Sequence, residues 1–190
     1  ASFMSLSADY GEVVLAANTI LLNFFFIFSY GIDAFAHATE VMVGNSVGEK
    51  NYSKYEATLK SSFKFVTAII LFFVVIFLIS SNSIIYSITS HLNVISVVHE
   101  NLTYLLLIVI FGSVAFCIDG ILIGGLQHVL MRNIMIIAGL VYFTCLIMLD
   151  IDTPNHIWLP FMLFFITRSL LLYLSLDIVR KALFGPNHYI

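Results

Sequence analysis

The stretch that decides the fold lies in the middle of the chain, at residues 102–125, which read LTYLLLIVIFGSVAFCIDGILIGG. Asp119 is the only charged residue within it. An α-helix needs about 20 predominantly apolar residues to cross the hydrocarbon core of a bilayer, and this run satisfies that requirement. We therefore predict a transmembrane helix here, beginning near Asn93 and ending near Gly125.

The same length criterion, applied along the whole chain, predicts an all-α integral membrane protein with five complete spans. The predicted spans cover about 12–44, 55–79, 93–125, 129–149 and 156–183, joined by polar, turn-forming segments. Residues 1–8 are interpreted as the end of an earlier helix. The chain begins without the basic and apolar regions of a signal peptide, so we expect residues 1–190 to be a single transmembrane domain cut from a longer protein.

The composition supports this class and excludes others. Hydrophobic residues make up 61% of the chain and charged residues 10%, against about 45–50% and about 25% in soluble domains. The net charge of −3 and the absence of a basic cluster argue against a nucleic-acid partner. Cys117 and Cys145 lie in apolar runs and are interpreted as packed thiols. The predicted surroundings are therefore the lipid bilayer.

Basic residues are distributed unequally between the two sides that alternating crossings create. One side carries Lys50, Lys54, Lys60, Lys64, Arg132, Arg180 and Lys181. The other side carries Asp9, Glu12, Glu100, Asp150 and Asp152. The positive-inside rule assigns the basic side, and with it the carboxy terminus, to the cytoplasm. An aromatic belt is predicted at the opposite interface from Trp158, Tyr10 and Tyr104.

The remaining basic residue, Arg168, lies well inside the last predicted span. An arginine at the centre of a membrane helix costs about 2.5–3.5 kcal/mol on insertion scales, so it should face the protein interior and meet a carboxylate or backbone carbonyls. A structural clamp between helices and a gating or coupling charge are both compatible with this position. Asp119 is a possible partner, but the sequence does not decide it.

Three ionisable residues share one face of the first predicted span: Asp33, His37 and Glu40, at positions i, i+4 and i+7. The small residues between them let another helix approach closely: Ala34, Ala36 and Ala38. The stripe indicates a wet internal face, a proton relay or a cation site. Alternatively, the helix already emerges into water here. A closed zinc site is rejected because no further ligands are present.

Asp119 is an ionisable residue in an apolar run, which makes it either a functional residue or half of an ion pair. Gly120, Gly124 and Gly125 follow it at a spacing that allows close helix packing and local bending.

Two stretches resemble the MATE (multidrug and toxic compound extrusion) family, and most closely its DinF-like branch. Leu15-Ala16-Ala17-Asn18 together with residues 29–40, SYGIDAFAHATE, is similar to the eighth helix of that family. Asp119-Gly120-Ile121, followed by Gly124 and Gly125, is similar to the motif of its tenth helix. The likeness extends over essentially the whole chain.

The resemblance implies a fold of twelve helices in two six-helix lobes around a central cavity. The chain would be the carboxy-terminal lobe, from the end of the seventh helix to the twelfth, in a bacterial inner membrane. It implies an antiporter that exports small organic, often cationic compounds in exchange for H⁺ or Na⁺, without a cofactor, together with an amino-terminal lobe. In one branch a tenth-helix acid contributes to the cation site, and Asp119 occupies the matching position. The candidate coupling or cavity-lining residues are Asp33, His37, Glu40, Asp119, Arg168 and Asn18.

Three other functions remain open. A lipid-linked saccharide flippase of the same superfamily would need several cationic residues in its cavity. A membrane-embedded enzyme could use Asp33, His37 and Glu40 for acid–base chemistry, but the nucleophile and base that it needs are not evident, so we expect no enzyme. A non-transporting scaffold subunit is the third.

Overall fold

The computed structural model describes residues 2–148 and 157–185, and in these ranges all regular structure is helical. Six helices follow in order: α1 (Ser2–Asp9), α2 (Glu12–Gly48), α3 (Tyr52–Ile88), α4 (Leu92–Gly124), α5 (His128–Met148) and α6 (Trp158–Phe184). Helices α2 to α6 are each long and apolar enough to cross a membrane. The predicted all-α membrane fold with five spanning helices is therefore confirmed.

Helix boundaries follow local chemistry where the chain turns. Gly11, between α1 and α2, has φ +96°, a conformation that side-chain-bearing residues rarely adopt. Asn51 caps α3, since its side chain accepts a hydrogen bond of 3.0 Å from the backbone N–H of Lys54. The predicted connection at 150–156 lies outside the described residues.

The end of α3 differs most from the prediction. The Ser- and Asn-rich segment after residue 79 was predicted to be a connection, but α3 continues through it to Ile88. The reason is tertiary packing, which overrides local propensity. Ser81 and Ile85 are buried, and Oδ1 of Asn82 lies 2.6 Å from Nε2 of His99 on α4. At 37 residues, α3 is about 55 Å long and extends beyond the hydrocarbon core of about 30 Å.

Helices α2 and α4 form the centre of the bundle through a close backbone contact. A methyl group on Gly120 would overlap the carbonyl oxygen of Ala36, and one on Gly124 would overlap that of Glu40. Ala36 is buried in this contact, whereas Ala34 and Ala38 are exposed. Since lipid tails are as apolar as the helix surfaces, this kind of close packing is what holds membrane helices together.

The basic residues collect at one end of the bundle. Arg180 near the end of α6 lies 3.4 Å from Glu56 near the start of α3. The rings of Tyr55 and Phe184 are 5.1 Å apart at the same end. We call this the basic end, defined by the α2–α3 and α4–α5 connections and the end of α6. The opposite end holds α1 and the α3–α4 connection.

The glycine contact gives a first prediction. Gly120→Ala and Gly124→Ala should each destabilise the protein by at least 1–3 kcal/mol, the usual range for overpacking, because the added methyl meets backbone rather than a movable side chain. Thermal unfolding in detergent measures the effect.

The matched control is Gly139→Ala on α5, where no atom lies within 4 Å of the added methyl. Alanine there should be neutral or slightly stabilising, because alanine favours helix over glycine by about 1 kcal/mol. Equal effects at all three positions would contradict the close contact.

Candidate functional site

Five of the six candidate residues line one cavity of about 200 Å³. Helix α2 contributes Asp33, His37 and Glu40, α4 contributes Asp119, and α6 contributes Arg168. The apolar walls are Ala36, Phe116, Gly120, Ile123 and Met131. The sequence predicted the three α2 residues to share a face, and the structure adds that α4 and α6 bring their ionisable side chains to the same face.

The α2 stripe is an outer wall of the cavity. Nδ1 of His37 lies 3.2 Å from Oε2 of Glu40, and Nε2 lies 3.7 Å from Oδ2 of Asp33. The imidazole is therefore placed between two carboxylates, as the spacing predicted. The side chain of His37 is 70% exposed and that of Asp33 55%. This side of the cavity is reachable from outside the bundle.

The inner wall is an ion pair between Asp119 of α4 and Arg168 of α6, joined through Oδ2 and Nη2. Arg168 thus faces the protein interior and meets a carboxylate, as its position required. Only 6% of Asp119 and 7% of Arg168 is exposed. The Phe116 ring centroid lies 5.8 Å from Cζ of Arg168, close enough for a cation–π contact.

The ion pair leaves hydrogen-bonding capacity unused. Within residues 2–148 and 157–185, Oδ1 of Asp119 and Nε of Arg168 are buried without a hydrogen-bond partner. Buried polar atoms in proteins normally have one. The lining also holds three carboxylates against one guanidinium, so with a neutral imidazole it carries excess negative charge. The unpaired Oδ1 of Asp119 and the excess of acids suit the cavity to one further cation or proton.

Two matches to known proteins indicate the kind of protein in which this site occurs. The family model described as MatE matches residues 1–148. The chain belongs to the MatE family. It is 25% identical over 165 residues to DNA damage-inducible protein F of Escherichia coli (strain K12), a match that covers 87% of this chain and 36% of that protein. The resemblance to the DinF-like branch is therefore confirmed. No solved structure matches the chain.

The chain thus spans just over a third of the length of this relative. The family match includes the α2 stripe and Asp119 but ends before Arg168, which lies beyond residue 148. Arg168 joins the site through its ion pair with Asp119 and its contact with the ring of Phe116.

Asn18, the sixth candidate, does not line this cavity. It precedes Asp33 by fifteen residues of α2, a distance of about 22 Å along the helix. Its Nδ2 donates a 2.9 Å hydrogen bond to Oγ of Ser7 on α1. Its Oδ1 accepts one of 2.9 Å from Nε1 of Trp158 on α6. Asn18 therefore joins three helices at the end opposite the basic end.

Trp158 was predicted to belong to an outer aromatic belt, and this prediction is wrong. Its side chain is fully buried, and its ring packs edge-on against Phe3 at 4.9 Å. A buried indole N–H needs an acceptor, which Asn18 supplies. Since that acceptor lies 140 residues away in sequence, no local pattern indicates the pairing.

Sequence reasoning also missed a polar contact beside the site. Oγ1 of Thr39 on α2 and Oγ of Ser62 on α3 are 2.9 Å apart and buried. They line a second cavity of about 280 Å³, which Cys117 of α4 also reaches. Cys117 and Cys145 are both free thiols. Small hydroxyl residues on apolar helices often mark interhelical contacts, and this is the signal by which Ser62 could have been found.

The buried ion pair between Asp119 and Arg168 gives a second prediction. Asp119→Asn and Arg168→Gln should each destabilise the protein by about 3–5 kcal/mol, because each leaves a buried charge without its partner. The double variant should recover most of this loss, since it removes both charges. Thermal unfolding of the four proteins in detergent forms a double-mutant cycle that isolates the coupling.

The control cycle is the exposed pair between Lys54 and Glu49, whose charged atoms are 2.7 Å apart. Removing either charge there should change stability by at most about 1 kcal/mol. A coupling at Asp119 and Arg168 as small as this would show that the buried pair is not formed.

A third prediction concerns Asn18. Asn18→Leu keeps the volume but leaves Nε1 of Trp158 without its acceptor, so we expect a loss of about 1–3 kcal/mol in the same unfolding measurement. The control is Asn23→Leu, at an exposed position of the same helix, which should change stability little. Equal losses of stability at both positions would contradict the hydrogen bond between Asn18 and Trp158.

Proposed function

We propose that this chain is the carboxy-terminal lobe of a secondary active efflux transporter, an antiporter that exports organic, often cationic compounds in exchange for H⁺ or Na⁺. The observation that carries the proposal is the cavity of about 200 Å³, where carboxylates, an imidazole and a guanidinium from three helices meet. Ionisable residues inside membrane segments are costly and typically mark ion or substrate pathways.

Asp119 is the proposed coupling residue. Its Oδ2 is bound to Arg168, while its buried Oδ1 has no partner in the described part of the chain and can accept a proton or a cation. Occupation of this carboxylate weakens its attraction for Arg168 and so loosens the link between α4 and α6. A cation can drive transport only if it binds the two access states with different affinity. In this proposal the ion pair between Asp119 and Arg168 is intact in one access state and open in the other. The carboxylate then binds the cation with a different affinity in each state.

The α2 stripe is the proposed route to Asp119. His37 is exposed to the outside of the bundle and lies between Asp33 and Glu40, which line the same cavity as Asp119. Groups so arranged can pass a proton or a hydrated cation inward in short steps. In the complete transporter we propose that an amino-terminal lobe, part of the length that the relative has beyond this chain, faces the exposed side of the stripe.

The charge balance favours cation coupling over the flippase alternative. A flippase cavity for an anionic lipid-linked saccharide needs free positive charge, whereas the guanidinium of Arg168 is bound to Asp119 and acids outnumber bases in the lining. The enzyme alternative lacks support because the described lining contains no Ser, Thr, Cys or Lys nucleophile. We propose a bacterial inner membrane as the location of the protein, with the basic end in the cytoplasm according to the positive-inside rule.

The fourth prediction tests the coupling role in the full-length protein that carries this chain, reconstituted in proteoliposomes. Asp119→Asn should lower the gradient-driven export of a cationic dye at least ten-fold. Imposing a pH gradient and a Na⁺ gradient separately identifies the driving ion. The control Asp9→Asn removes an exposed acid from α1, outside the cavity, and should leave export unchanged.

Since Asp119→Asn also removes the partner of Arg168, the double variant Asp119→Asn/Arg168→Gln separates folding from transport. It should recover most of the stability that the single variants lose and still fail to couple export to the gradient. If this double variant retained full gradient-driven export, the assignment of Asp119 would be wrong. A parent protein that moves no dye under either gradient would favour a scaffold subunit.

A further inference from the structure

Helices α3 and α6 leave a groove of about 1080 Å³ between them at the basic end. Its residues include none of those that line the smaller cavity of the candidate coupling site. The groove opens to the outside of the bundle, since two of its lining residues, Leu71 on α3 and Tyr173 on α6, are each 60% exposed. A surface of this kind inside a membrane is covered by lipid or by another part of the protein.

The groove has a charged mouth and an apolar floor. Lys60 and Lys64 on α3 and Arg180 on α6 line the mouth. Beyond Lys64, α3 has no charged residue through the rest of its length to Ile88, so Lys64 marks where that helix enters the hydrocarbon. On α6, Asp177 marks the corresponding boundary. The mouth therefore lies at the level of lipid headgroups, and the floor at the level of acyl chains.

The acids at the mouth are already occupied. Nη2 of Arg180 lies 2.7 Å from Oδ1 of Asp177, and its Nη1 lies 3.4 Å from Oε1 of Glu56. Nζ of Lys60 lies 3.8 Å from Oε2 of Glu56, on a side chain that is 79% exposed. Lys64 makes no ion pair with any residue of the two described ranges. The mouth thus offers a positive charge that the protein does not neutralise there.

We propose that this groove is a binding site for one anionic phospholipid of the leaflet at the basic end. The phosphate lies between Lys60 and Lys64, and an acyl chain runs along Leu71 and Tyr173. The positive-inside rule places this end in the cytoplasm, and basic pockets between helices on that side bind anionic headgroups. A zwitterionic lipid fits less well, because its own cation offsets the phosphate beside Lys64.

The fifth prediction tests this site in the full-length protein, using bromine-labelled lipids as the probe. Tyr173→Trp places a fluorophore in the groove, and nanodiscs contain either tail-brominated phosphatidylglycerol or tail-brominated phosphatidylcholine at low fraction in unlabelled phosphatidylcholine. Bromine quenches only a tryptophan that it contacts, and the signal of the protein without the new tryptophan is subtracted. We expect a preference for phosphatidylglycerol of roughly five-fold, which corresponds to about 1 kcal/mol for one lysine near a lipid headgroup.

Adding Lys60→Gln and Lys64→Gln to the reporter should reduce this preference to about one. The matched control, Lys50→Gln with Lys54→Gln, removes the same charge from the same end but outside the groove, and should leave the preference intact. Equal quenching by the two labelled lipids in the unaltered reporter would show ordinary annular lipid and overturn the proposal. Quenching by neither would also overturn it, because another part of the protein would then fill the groove. Neither result depends on transport.

Discussion

The structure depends on one contact, the backbone approach of α4 to α2 at Gly120 and Gly124. Membrane helices gain little from burying apolar surface against each other, so they associate where side chains are small enough to let backbones meet. Here the carbonyl groups of Ala36 and Glu40 occupy the space where side chains would stand. Because Asp119 directly precedes Gly120, the same contact brings its carboxylate to the polar face of α2. The site follows from the packing.

Helix α6 adds a third wall to the cavity. Its arginine balances one of the three carboxylates in the lining, so this small cavity keeps an excess of acidic groups. At the opposite end, α6 contacts α2 through Trp158 and Asn18, neutral residues joined by a hydrogen bond from Nε1 of Trp158 to Oδ1 of Asn18. The two contacts of α6 therefore differ in kind: its contact with α4 is an ion pair, and its contact with α2 at the opposite end is a hydrogen bond between neutral groups.

The sequence predicted what depends on local pattern and missed what depends on the relative rotation of distant helices. Hydropathy reveals spans, and helical periodicity places Asp33, His37 and Glu40 on one face. The pairing of Asp119 with Arg168, 49 residues apart, requires knowing which faces of α4 and α6 meet. The same holds for Asn18, whose motif suggested a cavity residue. The end of α3 was misplaced because a serine-rich composition resembles a turn until its packing partners are known.

The two glycines of α4 also restrict how α2 and α4 can move past each other. A short slide would bring a side-chain-bearing residue, Ile121 or Ile123, toward the carbonyl of Ala36, where even a methyl group does not fit. A shift of one helical turn would place either Phe116 or Gly124 at that carbonyl; Phe116 is too large, and with Gly124 there the end of α4 would no longer reach Glu40. Both glycine contacts therefore exist in one register only, and we expect α2 and α4 to move as a single unit.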